Sequence, residues 1–268
     1  MKYNFDDKIH LHSLDDKPLT GTSSVEAVLS KNLVWWAAEL AAVECLEAGA
    51  RIPTIREEYL LAREHSNKKE AIDALQKKYP IFKTARFAHF NDKNKKAKSG
   101  TDLHDELEKW VKYRMGILKS SGKVDDRIVP FVLWAEDNVK RFLWSEAHCF
   151  DENLWVGGIS DAGAELNDGR YAVIDFKSSK EAYTNQFIQA AGYAIQIDKN
   201  GLWNKEGKVN KKLDKPIDAL MIVPFGAEEI KPEIRYVVEE YKKGFEWCVG
   251  LYRLLVLDEN YKLLNKKI

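Results

Sequence analysis

The stretch from Leu143 to Lys177 constrains the fold of this chain more than any other part of the sequence. Its side chains follow the two-residue period of extended strands, whereas the segments before and after it follow helical spacing. We predict three strands, Leu143 to Phe150, Leu154 to Leu166 and Arg170 to Lys177. Asn167-Asp168-Gly169 is typical of a tight turn between two antiparallel strands. The centre of the chain is therefore expected to form a sheet.

Helical patterns and two further apolar segments surround this sheet. Helices are predicted in six segments: 33–49, 57–79, 103–118, 130–142, 181–197 and 239–256. Apolar residues at helical spacing indicate them, except over 57–79, which is charged and helix-prone. Ala219 to Phe225 and Ile234 to Val238 predict two more strands. This alternation favours an α/β fold with a central mixed β-sheet flanked by helices on its two faces.

The order of these elements suggests two regions. We expect residues 1–99 to form an N-terminal helical region packed on the core, and residues 100–268 to form the core with the C-terminal strands and helix. Residues 91–100 are rich in lysine and asparagine, so we expect a mobile loop there.

The charge of the chain is balanced overall but unevenly distributed. There are 42 Lys and Arg residues against 42 Asp and Glu residues. Residues 63–98 nevertheless hold eleven basic against four acidic residues, and residues 199–215 hold six against two. Such segments are compatible with a phosphate-binding surface, and equally with an ordinary solvated surface.

The sequence lacks features that zinc-knuckle, iron-sulfur, secreted and membrane-spanning proteins require. The three cysteines are far apart and form no CxxC pair, which argues against a zinc knuckle or a cysteine-ligated iron-sulfur cluster. Met1 to Leu14 lacks the apolar run of a signal peptide, and no apolar stretch approaches the roughly 20 residues of a membrane-spanning helix. We therefore expect a cytoplasmic protein with no membrane partner.

Strand alternation places charged groups of the third strand on one face. Val173, Asp175 and Lys177 point to one side of the sheet, and the apolar residues between them point to the other. A carboxylate and an ammonium therefore share a face. Taken alone, this pair is more typical of an ion pair at a strand end than of an active site.

The turn decides whether a second carboxylate joins this face. A three-residue loop from Asn167 to Gly169, with the glycine in a left-handed conformation, puts Asp161 opposite Asp175. A two-residue loop of Asp168 and Gly169 would turn Asp161 away, and a bulge would also change the register. Two facing carboxylates repel each other unless a cation lies between them, and oxygen ligands suit Mg²⁺ or Mn²⁺.

The segment from Val156 to Ala194 resembles the core of the RecB-like and lambda-exonuclease-like branch of the PD-(D/E)xK nuclease superfamily. That branch has a Gly-x-x-Asp motif, then D/E-x-K after a hairpin, then Q-x-x-x-Y on the next helix. The matching residues are Gly158 to Asp161, Asp175 to Lys177, and Gln189 with Tyr193. Being four apart, Gln189 and Tyr193 share one helical face. The resemblance covers His104 to Tyr193 well and the chain after Ile197 hardly at all.

The resemblance implies a restriction-endonuclease-like core and a set of site residues. The implied catalytic residues are Asp161, Asp175, Lys177, Gln189 and Tyr193. The implied ligands of Mg²⁺ or Mn²⁺ are His104, Asp161, Asp175 and the backbone carbonyl of Phe176. Glu146 is expected to support the site, and Gly21 to Val25 is similar to the start of phage-type exonucleases. Asp175 is a departure, because many relatives have the longer glutamate there.

The function implied by the resemblance is that of a metal-dependent deoxyribonuclease, favouring an exonuclease in DNA recombination, repair or phage replication. Its substrate would be single- or double-stranded DNA, in the cytoplasm of a bacterial or phage-infected cell. A single-strand annealing protein as partner and a homo-oligomeric state are compatible with the same resemblance. Two alternatives stay open: an inactive nucleic-acid-binding protein of this fold, and a metal hydrolase acting on a small phosphoester.

Overall fold

A computed structural model describes residues 2–29, 52–81, 84–85, 103–122, 124–226 and 230–257. The chain forms two compact units, of which one contains Lys31–Ser99 and the other contains Met1–Ser30 together with Gly100–Ile268. The first thirty residues thus belong with the core, which corrects the expectation of one helical region over residues 1–99. The predicted helix over 33–49 and the predicted loop over 91–100 lie outside the described residues.

The N-terminal segment begins with short strands that the sequence pattern did not predict. β1 (Tyr3–Asp6), β2 (Leu11–Leu14) and β3 (Lys17–Pro18) form a small antiparallel sheet in that order. β4 (Thr20–Gly21) leads directly into the short helix α1 (Thr22–Glu26). Strands of two to four residues are too short to produce a clear two-residue alternation, so they leave little signal in the sequence.

The unit formed by Lys31–Ser99 contains two described helices, α2 (Ile52–His65) and α3 (Lys68–Lys78). Asn67 separates them. Its side chain accepts a hydrogen bond from the Glu70 N–H at 3.0 Å, and the Glu70 carboxylate accepts one from the Asn67 N–H at 3.2 Å. This capping box starts a new helix, so the single helix predicted over residues 57–79 is two helices.

In the larger unit, two helices precede the main sheet. Residues 103–114 form α4, and Val129–Asn138 form α5, which carries Pro130 in its first turn. α4 is shorter than the helix predicted over residues 103–118. It stops before Gly116, whose φ is +74° and which therefore cannot continue a right-handed helix.

The main sheet and its helices occupy the rest of this unit. Their bounds, in chain order, are β5 (Val139–Asp151), β6 (Val156–Leu166), β7 (Tyr171–Lys177), α6 (Thr184–Asn200), β8 (Leu202–Trp203), β9 (Val209–Lys211), β10 (Ala219–Pro224), β11 (Glu233–Arg235) and α7 (Val238–Tyr252). The strand order is β11-β10-β7-β6-β5-β8-β9, with β4 parallel to β6. β10 is parallel to β7 and the other neighbours in that order are antiparallel, so the predicted mixed sheet is confirmed.

Helices cover both faces of this sheet. On one face, α4 and α5 bury Leu107, Val111 and Phe131 against Ala162 and Ile174. On the other face, α6 packs against the strands through residues such as Phe187 and Ala191. Removal of this apolar surface from water is the main stabilisation of the sheet. Within the part of the chain that the structure describes, no helix is both long and apolar enough to cross a membrane.

The β6–β7 turn has the three-residue form. The Leu166 N–H donates to the Arg170 carbonyl at 2.8 Å, the Gly169 N–H donates back to Leu166, and Gly169 has φ +89°. The pairing that follows includes Ala162 opposite Ile174. The next pair along this register is Asp161 and Asp175, so the three-residue alternative is confirmed and the two-residue loop is wrong.

Candidate active site

A cavity of about 820 Å³ collects the residues that the sequence singled out. Helix α4, three adjacent strands and α6 each contribute to its wall. The predicted site residues that line it are His104, Glu146, Asp161, Asp175, Phe176, Lys177, Gln189 and Tyr193. Side chains up to 89 residues apart in sequence therefore share one solvent-accessible space.

Asp161 and Asp175 face each other across β6 and β7. Asp161 Oδ2 accepts a hydrogen bond from the Phe176 N–H at 2.8 Å, which fixes the carboxylate at the strand end. Asp175 is only 1% exposed. Burial raises its pKa to about 6, and the negative charge of Asp161 acts in the same direction while Lys177 opposes it. A cation placed between them would relieve this repulsion.

Lys177 is the immediate partner of Asp175. Its Nζ lies 2.7 Å from Asp175 Oδ2, and only 23% of its side chain is exposed. Burial works against its charged form, but Asp175 and Asp161 outweigh burial and raise its pKa. Lys177 therefore stays an ammonium at neutral pH. Apart from this contact with Lys177, Asp175 Oδ2 has no partner among the described residues.

His104 approaches the same carboxylates from α4. Its Nε2 lies 3.3 Å from Asp161 Oδ2, and its ring packs edge-on against Phe176. The hydrogen-bonding contact with Asp161 raises its pKa to about 9 and prevails over burial, which lowers it. The imidazolium therefore contributes a positive charge beside Asp161. Binding of a metal at Nε2 would displace this proton, because only the neutral ring coordinates.

Glu146 lies on the other side of Asp161. Its neighbours pair as Ser145 with Ala162 and Ala147 with Ser160, which puts Glu146 opposite Asp161. Burial raises its pKa to about 7, and the charges of Asp161 and Glu108 add to this effect. Glu146 also has φ +52°, a strained conformation that tends to persist where the surrounding structure holds a functional side chain in place.

Three of these side chains fit a divalent cation. The ligand atoms of His104, Glu146 and Asp161 all lie within 4.8 Å of one another. Bonds of about 2.1 Å to one ion would place them at most about 4.2 Å apart, so only a small closure is needed. One imidazole nitrogen and two carboxylates suit Mn²⁺, and the surplus of oxygen also accommodates Mg²⁺. Glu146, expected only to support the site, therefore belongs to a group of side chains that could hold a metal ion.

A second triple shares His104. The ligand atoms of His104, Asp105 and Glu108, all on α4, also lie within 4.8 Å of one another. Sequence reasoning did not single out Glu108, although its position four residues after His104 puts both on one helical face. Asp175 belongs to neither triple found among the described residues, because its Oδ2 faces Lys177. Its role as a ligand stays a prediction, as does that of the Phe176 carbonyl.

Gln189 and Tyr193 contact each other at the inner wall of the cavity. The Gln189 side-chain amide donates to the Tyr193 hydroxyl at 2.9 Å, and both residues are buried. Burial raises the pKa of Tyr193 well above its usual value, and Asp175 and Asp161 act in the same direction. Tyr193 is therefore a neutral hydroxyl that can still donate its proton in a hydrogen bond.

The N-terminal segment supplies part of the wall that sequence reasoning hardly anticipated. Gly21 to Ser24 line the cavity. The Thr22 hydroxyl donates to the Gly157 carbonyl at 3.1 Å and accepts from the Gln196 amide at 2.8 Å. α1 is thereby held against β6 and α6. The similarity of Gly21 to Val25 to the start of phage-type exonucleases was the one sequence signal for this contact.

The chain was also compared with known proteins. It matches no protein-family model and no curated protein sequence. Its own residues therefore carry the functional inference.

Proposed function

We propose that this protein is a divalent-metal-dependent deoxyribonuclease with a PD-(D/E)xK-type active site on a restriction-endonuclease-like core. One observation carries the proposal: Glu146, Asp161 and Asp175 lie side by side on three adjacent strands. His104 contacts Asp161, and Lys177 contacts Asp175. One buried and two half-buried carboxylates are rarely grouped in this way unless they hold a cation or share a proton.

A phosphodiester is the substrate that this arrangement suits best. The ion held by His104, Glu146 and Asp161 would supply positive charge to a phosphate and lower the pKa of an attacking water. Lys177 is positioned to orient that water and to stabilise the negative charge that develops on the phosphate. Tyr193, kept neutral by its surroundings, can donate a hydrogen bond to a phosphate oxygen at the same wall.

DNA is favoured over a small phosphoester by the charge of the chain. The cavity of about 820 Å³ is large enough for a nucleotide, and it would hold a small phosphoester as well. The basic segments at 63–98 and 199–215 would attract a polyanion. An exonuclease of recombination, repair or phage replication, with a single-strand annealing partner, remains the expectation from the resemblance.

Digestion of DNA tests this function. End-labelled linear DNA and circular DNA are incubated with Mg²⁺, with Mn²⁺ or with a chelator. We expect cleavage with either metal and none with the chelator. Preference for the linear substrate would identify an exonuclease. DNA that is bound but never consumed in either metal would instead identify an inactive binding protein.

Variants separate the active site from the fold. Lys177→Met and Asp161→Asn should each reduce cleavage by about 100-fold or more while the circular dichroism spectrum is retained. Lys180→Ala is the matched control, because Lys180 is exposed and three residues further along the same chain segment. A fully active Lys177→Met protein would refute the mechanism. Hydrolysis of small phosphoesters without cleavage of DNA would favour the small-substrate alternative.

A further inference from the structure

A second cavity, of about 450 Å³, adjoins the active site through Glu146, which lines both. Six consecutive residues of β5, Leu143 to His148, form one wall. The opposite wall comes from the hairpin of β8 and β9, and the residues after α4 lie at one end. The remaining lining residues are Met115, Ile117, Leu202, Trp203, Asn204, Lys205, Glu206 and Lys211.

Among the described residues, most of one edge of β5 is not paired with another strand, and one buried hydroxyl on this wall has no hydrogen-bond partner. β5 pairs with β6 along one edge, but on its other edge β8 pairs with it at His148 alone. No other strand in the described part of the chain pairs with that edge. The Ser145 hydroxyl is buried and has no hydrogen-bond partner among the described residues. Because buried polar groups are nearly always paired, this wall is suited to a ligand with donors and acceptors of its own.

The opposite wall offers an aromatic ring and positive charge. Trp203 is partly exposed, and its indole N–H donates to the Asn200 carbonyl at 2.9 Å. Its ring also packs against Phe150, with 5.0 Å between ring centroids, so its orientation is fixed. Lys205 and Lys211 are exposed at the mouth of the cavity, where Glu206 offsets part of their charge.

We propose that this second cavity binds the nucleoside next to the scissile phosphate, so that the substrate strand passes Glu146 from one cavity into the other. The proposal rests on the nuclease function proposed above. A volume of 450 Å³ is within the range of about 300–1,000 Å³ found for small-molecule sites. The base would stack near Trp203 and bond to the β5 wall, and the lysines would attract the adjoining phosphate.

A strand of nucleic acid fits this cavity better than an extended peptide. The free edge of β5 would suit either ligand, since both carry hydrogen-bonding groups. Glu146 lines both cavities, so this cavity adjoins the one in which the scissile phosphate is proposed to bind. An aromatic ring beside two lysines is the combination that single-strand binding sites use.

The test measures binding in Ca²⁺, which replaces the active metal and prevents cleavage. A fluorescein-labelled twelve-nucleotide single strand is titrated with the protein, and one abasic position is moved along the strand. We expect one abasic position to weaken binding about fivefold or more, the effect of losing one stacked base. Lys205→Ala/Lys211→Ala should weaken binding of the intact strand about tenfold, with the loss reduced at high salt.

The matched control is Lys208→Ala/Lys212→Ala, which removes two exposed lysines of the same hairpin that do not line this cavity. Because both double variants remove two positive charges from the basic segment 199–215, this control should weaken binding of the intact strand clearly less than Lys205→Ala/Lys211→Ala does. Equal binding by the two double variants would overturn the assignment. Equal binding of every abasic strand would also overturn it, and is the result expected if the free edge of β5 binds a peptide instead. Cleavage by the wild-type protein in Mg²⁺ or Mn²⁺ is measured separately. Absence of cleavage would refute the nuclease function. The binding results would still show whether the second cavity binds a nucleoside.

Discussion

Gly158 lies where neighbouring side chains of the candidate active site leave no room for a larger residue. A methyl group on its Cα would lie 2.7 Å from both Thr22 Oγ1 and Tyr193 Cε1. Thr22 is held by two hydrogen bonds and Tyr193 is buried, so neither side chain can move away cheaply. The glycine of the Gly-x-x-Asp motif therefore has a steric reason: it lets α1 and α6 approach β6.

Gly158→Ala is expected to lower the free energy of unfolding by about 1–3 kcal/mol, the usual cost of overpacking. Nuclease activity should fall as well, because Tyr193 must shift. Urea unfolding and DNA digestion measure the two effects. Gly250→Ala is the control, since nothing lies within 4 Å of the added methyl group and the position is helical. That control should be neutral or stabilising by up to about 1 kcal/mol.

The Tyr3 hydroxyl connects two buried histidines, His12 and His148, that are not among the predicted site residues. It lies 2.6 Å from His12 Nδ1 and 3.1 Å from His148 Nδ1. One hydroxyl proton can serve only one ring, so the other ring must donate its own Nδ1 proton, and the two rings carry opposite tautomers. Burial lowers the pKa of His12 to about 3, with His148 and His10 acting in the same direction.

The low pKa of His12 predicts a loss of stability in acid. The unfolded chain takes up a proton at His12 below about pH 6.5, whereas the folded protein does so only near pH 3. Its contribution is therefore complete above pH 6.5 and is lost as the pH falls towards 3. The free energy of unfolding should decrease by up to about 1.4 kcal/mol per pH unit from this one proton.

His12→Gln should make the decrease between pH 6.5 and pH 4.5 shallower than in the wild type, even though it lowers stability at pH 7 through the lost contact with Tyr3. Urea unfolding at several pH values gives the slopes. His65→Gln, at an exposed histidine of the other compact unit, should keep the wild-type slope. Identical slopes for His12→Gln and the wild type would contradict the prediction.

Residues differ in how far sequence could place them. Asp161 and Asp175 were predictable because strand alternation and the turn fix their register. Glu146 was harder to place, since β5 contains irregular pairing near Phe142 and a positive φ at Glu146 itself. Neither feature has a signature in the side-chain pattern. The register of a regular hairpin can thus be predicted from sequence. The direction in which the side chain of a strained residue points cannot.

At the scale of elements, the β6–β7 hairpin depends on its turn. Gly169 has φ +89°, and no atom lies within 4 Å of a methyl group added to it. Any effect of substitution there must come from the backbone alone. Gly169→Val should lower the free energy of unfolding by about 1–2 kcal/mol, the cost of a left-handed conformation for a residue with a Cβ. Gly169→Asn should cost less, because asparagine tolerates this region. Equal unfolding energies for the two variants would argue against this account.

The same contrast explains which elements were predictable. β6 and β7 are long, regular and buried, so both their type and their pairing follow from alternation. The end of α4 depends on Gly116, and the break between α2 and α3 depends on the capping box at Asn67. In both places the helical pattern of the sequence continues past the residue at which the helix ends, so the sequence predicts a longer helix. The two-residue strand β8 and its partner β9 were missed because elements of this length carry no periodicity.

In the larger compact unit as a whole, the carboxylates of the candidate active site lower the free energy of unfolding. Glu146 and Asp175 are carboxylates whose pKa values are raised by burial and by neighbouring negative charge. Around neutral pH and above, the folded state must therefore keep charges that the unfolded chain would solvate. His104 and Lys177 offset only part of this cost. Such a loss of stability is common at functional sites.

Glu146→Gln should therefore make the metal-free protein more stable at pH 8.5, where the carboxylate is ionised and repelled by Asp161 and Glu108. The same substitution removes one of the three proposed metal ligands. Mn²⁺ should raise the unfolding temperature of the wild type, because a ligand that binds only the folded state stabilises it by mass action. The rise should be much smaller in Glu146→Gln. Glu246→Gln, at an exposed position on α7, should leave both the metal-free stability and the Mn²⁺ response unchanged. A Glu146→Gln protein that keeps the full response to Mn²⁺ would remove Glu146 from the metal site, whatever its effect on stability.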